Sequence, residues 1–176
     1  LSLDWVPVGH DDFAIDDELV GRQVSSGFMQ SSFWARFKER EGFDVSRYRL
    51  VENGSPIGAA SLLSYGLSSE PGFLLCPEGP CLPWDDRKTC LEALRGLIEV
   101  AKTFPLALGL RIEPHLSRPT PSLLRNWADS PTDLTPADTL IVDLAKSEEE
   151  VLQAAHHKCR YNLKIARTHG VEVEVR

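Results

Sequence analysis

Apolar positions along this chain follow two rhythms, short runs bounded by Gly and Pro and a three-to-four-residue recurrence, and the changes between them mark out the elements. Leu3 to Val8 reads as a strand, and the acidic run Asp11 to Glu18 leads into a short helix. Ser31 to Gly42 is predicted to be an amphipathic helix: a Ser cap, apolar Phe33, Trp34 and Phe37 among charged neighbours, and a Gly stop. Arg47–Glu52 and Pro56–Tyr65 flank Asn53-Gly54. Both turn residues tolerate positive φ, so this is a hairpin of two antiparallel strands. Phe73 to Cys76 is a short strand, after which the prolines of Pro77 to Trp84 force an extended path.

Asp85 or Asp86 then caps a helix that turns Leu91, Leu94, Leu97, Ile98 and Ala101 to the core and stops at Pro105. Leu106 to Ile112 is the most apolar run and is expected to be a central strand. Pro119 to Ala128 holds a short helix, Asp129 to Pro136 is a polar loop, and Thr139 to Asp143 forms another strand. A helix over Lys146 to Gly170 and a strand in the alternating Val171-Glu172-Val173-Glu174-Val175 close the order. That order predicts an α/β (α+β) sandwich, helices around a partly antiparallel sheet. With 176 residues, 42% of them hydrophobic, one compact domain is expected.

The last helix changes the picture because its charge is segregated. Ser147-Glu148-Glu149-Glu150 suits a helix start, while His156, Arg160, Lys164 and Arg167 repeat on one side and Val151, Ala155, Cys159, Leu163 and Ala166 form an apolar stripe expected to be buried. Residues 1–150 hold 14 Lys and Arg against 24 Asp and Glu, whereas residues 151–176 hold 5 against 2. A polyanion would therefore be met locally, not by the whole surface. The rival reading of the ladder is dipole complementarity and solubility.

Other chemistry is thin. No apolar run approaches the roughly 18 residues of a membrane span, and the start lacks a secretion-signal layout, so a cytoplasmic protein is expected. Cys76, Cys81, Cys90 and Cys159 include no Cys-x-x-Cys pair, which disfavours zinc and leaves buried or free thiols. No metal or cofactor is expected. No Gly-x-Ser-x-Gly elbow is present, and none of the five histidines lies in a catalytic motif. Leu at residue 1 and a terminal strand with nothing after it suggest a piece of something larger.

Six patches in order, Phe28 to Glu39, Ile57 to Ala60, Glu78-Gly79-Pro80, Leu110 to Pro114, Thr139 to Leu144 and Lys158 through Val171, together resemble the N-terminal half of the FemABX family of peptidoglycan cross-bridge aminoacyltransferases. The resemblance implies a GNAT-like fold over residues 1–176, as one half of a larger two-domain transferase. It also implies a peptidoglycan precursor as acceptor, UDP-muramoyl pentapeptide or its lipid-linked form, and aminoacyl-tRNA as donor co-substrate.

The family's Gln-x-x-x-Trp-x-x-x-Lys pattern is met by Gln30, Trp34 and Lys38, with the lysine on the precursor's diphosphate; a solvated lysine beside Glu39 is the rival. By the same resemblance Glu113 stands beside the sugar or peptide, against a loop-capping carboxylate. Phe43 stands near the sugar, against core packing, and Leu108 replaces a tyrosine used by some relatives. Arg160, Lys164 and Arg167 match a basic segment that meets a diphosphate, tRNA or the anionic headgroups of the inner membrane face. The groups that position the attacked ester are expected in the other half, so this chain alone is expected to bind without catalysing.

Two other functions remain open. An acyl-CoA-dependent N-acyltransferase would need a pyrophosphate-cradling Arg/Gln-x-x-Gly-x-Gly/Ala turn at a helix start, which is missing here. A non-catalytic module would use the basic helix to dock on an anion, with steep salt dependence.

Overall fold

A computed structural model describes residues 2–23, 27–67, 69–116, 121–136, 140 and 142–174. Beside the expectation of one unit over 1–176, the chain gathers into two compact units, Leu1–Thr135 and Pro136–Arg176, each described by itself.

Among the described residues the first unit is built on five strands in the order of the sequence: β1 (Leu3–Val8), β2 (Val45–Glu52), β3 (Ser55–Tyr65), β4 (Gly72–Cys76) and β5 (Ala107–Ile112). The first four pair antiparallel, and β5 lies parallel to β4. The β2–β3 turn uses Asn53 at φ 49° and Gly54 at φ 85°, the left-handed pair that a two-residue hairpin requires. Alternation along β2 and β3 then divides the side chains. Leu50, Ala60 and Leu62 meet α3 (Arg87–Lys102), while Arg47, Ala59 and Ser61 face away from it, Arg47 and Ser61 toward Gln30 and Ala59 toward Val20.

The helix α3 is a core helix because Cys90, Ala93, Leu94, Leu97 and Ala101 share one side; each buried leucine contributes roughly 1.5–3 kcal/mol. Its start is fixed by Asp86, whose carboxylate accepts from the backbone N–H of Lys88 and Thr89, and Trp5 donates its indole N–H to Ala93 O at 2.8 Å. Of the residues expected inward, Leu91 is only partly buried and Ile98 is exposed. On the other face lie α1 (Asp17–Arg22) and α2 (Ser32–Arg40), α2 following a 3-10 turn at Phe28–Gln30.

Two expectations are corrected here. Leu106 to Ile112 is not a central strand: β5 is at the sheet edge among the described residues, and Leu108 is 81% exposed. An apolar run shows that a strand has something apolar beside it, and here that is a groove of about 520 Å³ lined by Ile98, Leu110 and Trp127. The short helix expected in Pro119 to Ala128 is a 3-10 turn at Ser122–Leu124.

The second unit holds α4 (Glu148–Ala154) and α5 (His157–Thr168) where one helix was expected. The break falls at Ala155 and His156, whose ψ values of 149° and 144° are extended, so the spacing that joined Val151 and Ala155 to Cys159 and Leu163 does not hold across it. No residue of either helix is buried; Cys159 and Leu163 are exposed. Within the expected strand Thr139 to Asp143, Thr139 and Ile141 lie outside the described residues, and Leu140 and Val142 are exposed and unladdered. Val171 to Glu174 likewise forms no strand. Among the described residues, no helix is long and apolar enough to cross a membrane.

Candidate functional site

The sequence places a lysine on α2, and the ends of that helix decide where its ammonium goes. Ser31 Oγ caps the start by accepting from Trp34 N at 3.3 Å, and Ser32 is tied through N and Oγ to the Asp17 carboxylate at 2.7 and 2.5 Å. At the far end Gly42, at φ 88°, turns the chain, and Phe43 N donates back to Lys38 O at 3.0 Å. That return brings the Phe43 ring beneath Lys38, whose Nζ lies 4.1 Å from its centroid, 5.6 Å from that of Trp34 and 5.9 Å from that of Phe37.

The acid next in sequence does not neutralise it, for Glu39 turns to His10 Nε2 at 3.2 Å. Among the described residues Lys38 Nζ has no hydrogen-bond or salt-bridge partner, and beside it the Trp34 indole N–H is buried without an acceptor. Aromatic faces attract an ammonium but accept none of its N–H groups in the ordinary way. The geometry therefore holds a positioned cation with its donors uncommitted, next to a second donor in want of an acceptor.

From Phe43 a row of rings continues: Tyr65 at 5.2 Å, then Phe73 stacked on Tyr65 at 5.1 Å and 8°. The register that opposes Tyr65 to Phe73 across β3 and β4 makes this pair. A groove of about 330 Å³ lies along Phe43 and Tyr65, rimmed by Glu41 and Asp44, and one of about 370 Å³ follows along Phe73, Arg111 and Leu134. Burial, and secondarily the charge of Glu113, pushes the Tyr65 hydroxyl up from its ordinary pKa.

Glu113 itself is committed. Its carboxylate accepts from Arg111 Nε at 2.6 Å and Thr135 Oγ1 at 2.7 Å, and its backbone N–H reaches Cys76 O and Gly79 O. This fastens the loop after β5 to the loop after β4, the capping role posed as its rival. Leu108 lines the other groove, beside β5.

Gln30, first in the Gln-Trp-Lys pattern, is fully buried and structural. Its Oε1 accepts from Ser61 N at 2.8 Å, its Nε2 donates to Pro77 O, and its own carbonyl accepts from Arg47 Nη2 at 2.8 Å. The Glu78-Gly79-Pro80 loop closes against it. Glu78 takes the left-handed φ of 49°, held there because its O accepts from Gly27 N and its Oε2 from Met29 N, with His115 Nε2 at 3.5 Å from Oε1.

The remaining candidates belong to the second unit. Arg160 Nη1 donates to Gln153 O at 3.0 Å and Ala155 O at 2.6 Å, closing the carbonyl end of α4, and Arg167 stands 3.5 Å from Glu148. Lys164 makes no such contact among the described residues; its carbonyl accepts from Thr168. The structure thus brings Trp34, Lys38 and Phe43 together and links them through Tyr65 toward Glu113. It also adds Phe37, Tyr65 and Phe73, which sequence reasoning missed although the hairpin and strand positions were in hand. Among the described residues no group of His, Cys, Asp and Glu is placed to hold a metal.

The structure resembles that of FemX, with a TM-score of 0.67 at 17% identity, over 94% of this chain and 43% of FemX. An acetyltransferase from Trypanosoma brucei and a ribosomal-protein-alanine N-acetyltransferase from Brucella melitensis each match at a TM-score of 0.46 and 14% identity, over 81% of this chain and 100% and 99% of theirs. No family model matches the chain, and none of the curated proteins does. The mixed, mostly antiparallel sheet flanked by helices is the α+β architecture expected, and the fold is shared with FemX. This chain spans less than half the length of FemX.

Proposed function

We propose that this chain is the acceptor-binding part of an aminoacyltransferase that adds an amino acid from aminoacyl-tRNA to a peptidoglycan precursor. One observation carries the reading: the Lys38 ammonium is seated on Phe43 with its N–H groups unclaimed. A diphosphate oxygen supplies what that cation lacks, and a charge-assisted hydrogen bond of this kind is worth about 1.5–3 kcal/mol. The Phe43–Tyr65–Phe73 row offers flat apolar surface to the sugar, and the fold shared with FemX is the scaffold on which such a site would sit. Lys164, together with Arg160 and Arg167, is assigned to the phosphates of tRNA.

Calorimetric titration with UDP-muramoyl pentapeptide tests this. Saturable heat is expected, with Lys38→Met weakening affinity about 10- to 100-fold. A folded protein giving no heat at millimolar ligand overturns the reading, and heat with coenzyme A in place of the nucleotide sugar transfers it to an acyl-CoA-dependent acyltransferase.

A further inference from the structure

The outward side of α2 is built for a different partner from the inward side. On a helix Phe33, Arg36, Phe37 and Arg40 occupy one continuous strip, and all four are exposed, Phe33 at 72% and Phe37 at 41%. Phe28, 56% exposed on the preceding 3-10 turn, joins them by packing edge-on against Trp34 at 5.0 Å, and Phe37 lies 5.2 Å from the same ring. Two of the three exposed aromatics are thus backed by Trp34.

Among the described residues neither Arg36 nor Arg40 forms a salt bridge. No acid interrupts the strip: Glu39 lies on the helix's inner side with His10, and Glu41 stands beyond the last turn. Three exposed phenylalanines and two unpaired guanidinium groups therefore share one surface in a chain whose net charge is −7.

We propose that this strip is a peripheral docking surface for an anionic lipid membrane. Contiguous exposed apolar surface marks a binding face, and three properties select the partner. The side chains alternate aromatic and cationic, as at a helix that lies in the headgroup layer, where rings enter the acyl boundary and cations meet phosphates. Five residues are far short of the 20–30 a side that a stable protein interface uses, whereas a bilayer needs only a few anchors. The strip is the exposed side of a helix, whereas single-stranded nucleic acid is held in grooves. The proposal does not rest on the acceptor-binding reading, because none of Phe33, Arg36 and Arg40 belongs to that site.

Flotation of the full chain with vesicles of phosphatidylcholine and phosphatidylglycerol at 3:1, and with phosphatidylcholine alone, tests it. Binding is expected to the first and to be at least tenfold weaker to the second. Arg36→Gln with Arg40→Gln should weaken it about 30-fold, each cation contributing roughly fivefold at an anionic surface. Phe33→Ser should also weaken it, with melting temperature and helix content unchanged because the side chain is exposed. A control with Arg160, Lys164 and Arg167 all changed to Gln should bind as the parent does.

Absence of binding by the parent, loss of binding in the α5 control with retention in the α2 variants, or equal binding to both vesicles overturns the proposal. So does a strip-dependent dimer in light scattering, or a strip-dependent complex with single-stranded RNA in the absence of vesicle binding. UDP-muramoyl pentapeptide titrated into the same variants should give unchanged heats, so that either claim can fall alone.

Discussion

Two basic regions looked alike in the sequence and are unlike in the structure. Lys38 sits on a helix capped at both ends and pinned to Asp17, over a ring that the chain folds back to supply, and its own donors are left over. Arg160 and Arg167, four and three residues from Lys164, spend their guanidinium groups on the carbonyl end of α4 and on Glu148. The same family resemblance singled out both places. What differs is whether a backbone end or an acid lies within reach, and only the tertiary arrangement decides that.

The contrast can be broken at its foundation first. Gln30→Ala should cost about 3 kcal/mol in chemical denaturation, because it orphans the Ser61 N–H and the Pro77 carbonyl in a fully buried setting. Gln153→Ala, on exposed α4, should stay within about 0.5 kcal/mol. Equal costs would show that the first unit is no better anchored than the second.

Next in size, Phe43→Ala should weaken the UDP-muramoyl pentapeptide complex roughly three- to fivefold, the worth of a partly exposed cation–π contact, while Arg167→Gln leaves it within twofold. A smaller and local effect is expected from Arg160→Gln: faster amide exchange in the last turn of α4 with little change in the melting temperature of the first unit.

The smallest effect is in pH. Asp86 and Glu150 both cap helices, and bonds from the Thr89 and Ser147 backbone N–H groups, respectively, hold their carboxyls below the ordinary values of 3.8 and 4.5. A carboxyl with a lowered folded pKa stabilises fully above its unfolded value and stops doing so as the pH falls through the folded one. Acidification below about pH 4 should therefore weaken both caps. For Asp86 the loss reaches the packed α3 and lowers the melting temperature of the first unit; for Glu150 it frays α4 alone. Asp86→Asn should flatten the first dependence.

Local chemistry made much of the fold legible. Asn53-Gly54 set the hairpin, Ser31 and Gly42 bounded α2, and the strand read over Leu3 to Val8 matches β1 at both ends. What could not be read depended on neighbours distant in sequence. The run Leu106 to Ile112 has the same composition at an edge as at a centre, and a helical repeat continues on paper through Ala155 and His156 although the backbone extends there. The candidate site divides in the same way. Trp34, Lys38 and Phe43 lie within ten residues and could be grouped, whereas Tyr65 and Phe73 join them only through strand register, and the commitment of Glu113 to Arg111 and Thr135 has no signature in spacing.

Gln30 and Gly79 were met as parts of two separate motifs, yet they are one joint. A Cβ placed on Gly79 would stand 2.5 Å from Gln30 Cδ, and the amide that forbids it is the one that satisfies Pro77 and Ser61. Neither position can change by itself without strain or an unmet hydrogen bond. Substitutions at the pair should be epistatic: a side chain at Gly79 should cost less once Gln30 is shortened, although the Ser61 and Pro77 bonds then stay unmet, so the 3-10 turn before α2 and the loop after β4 behave as a single piece.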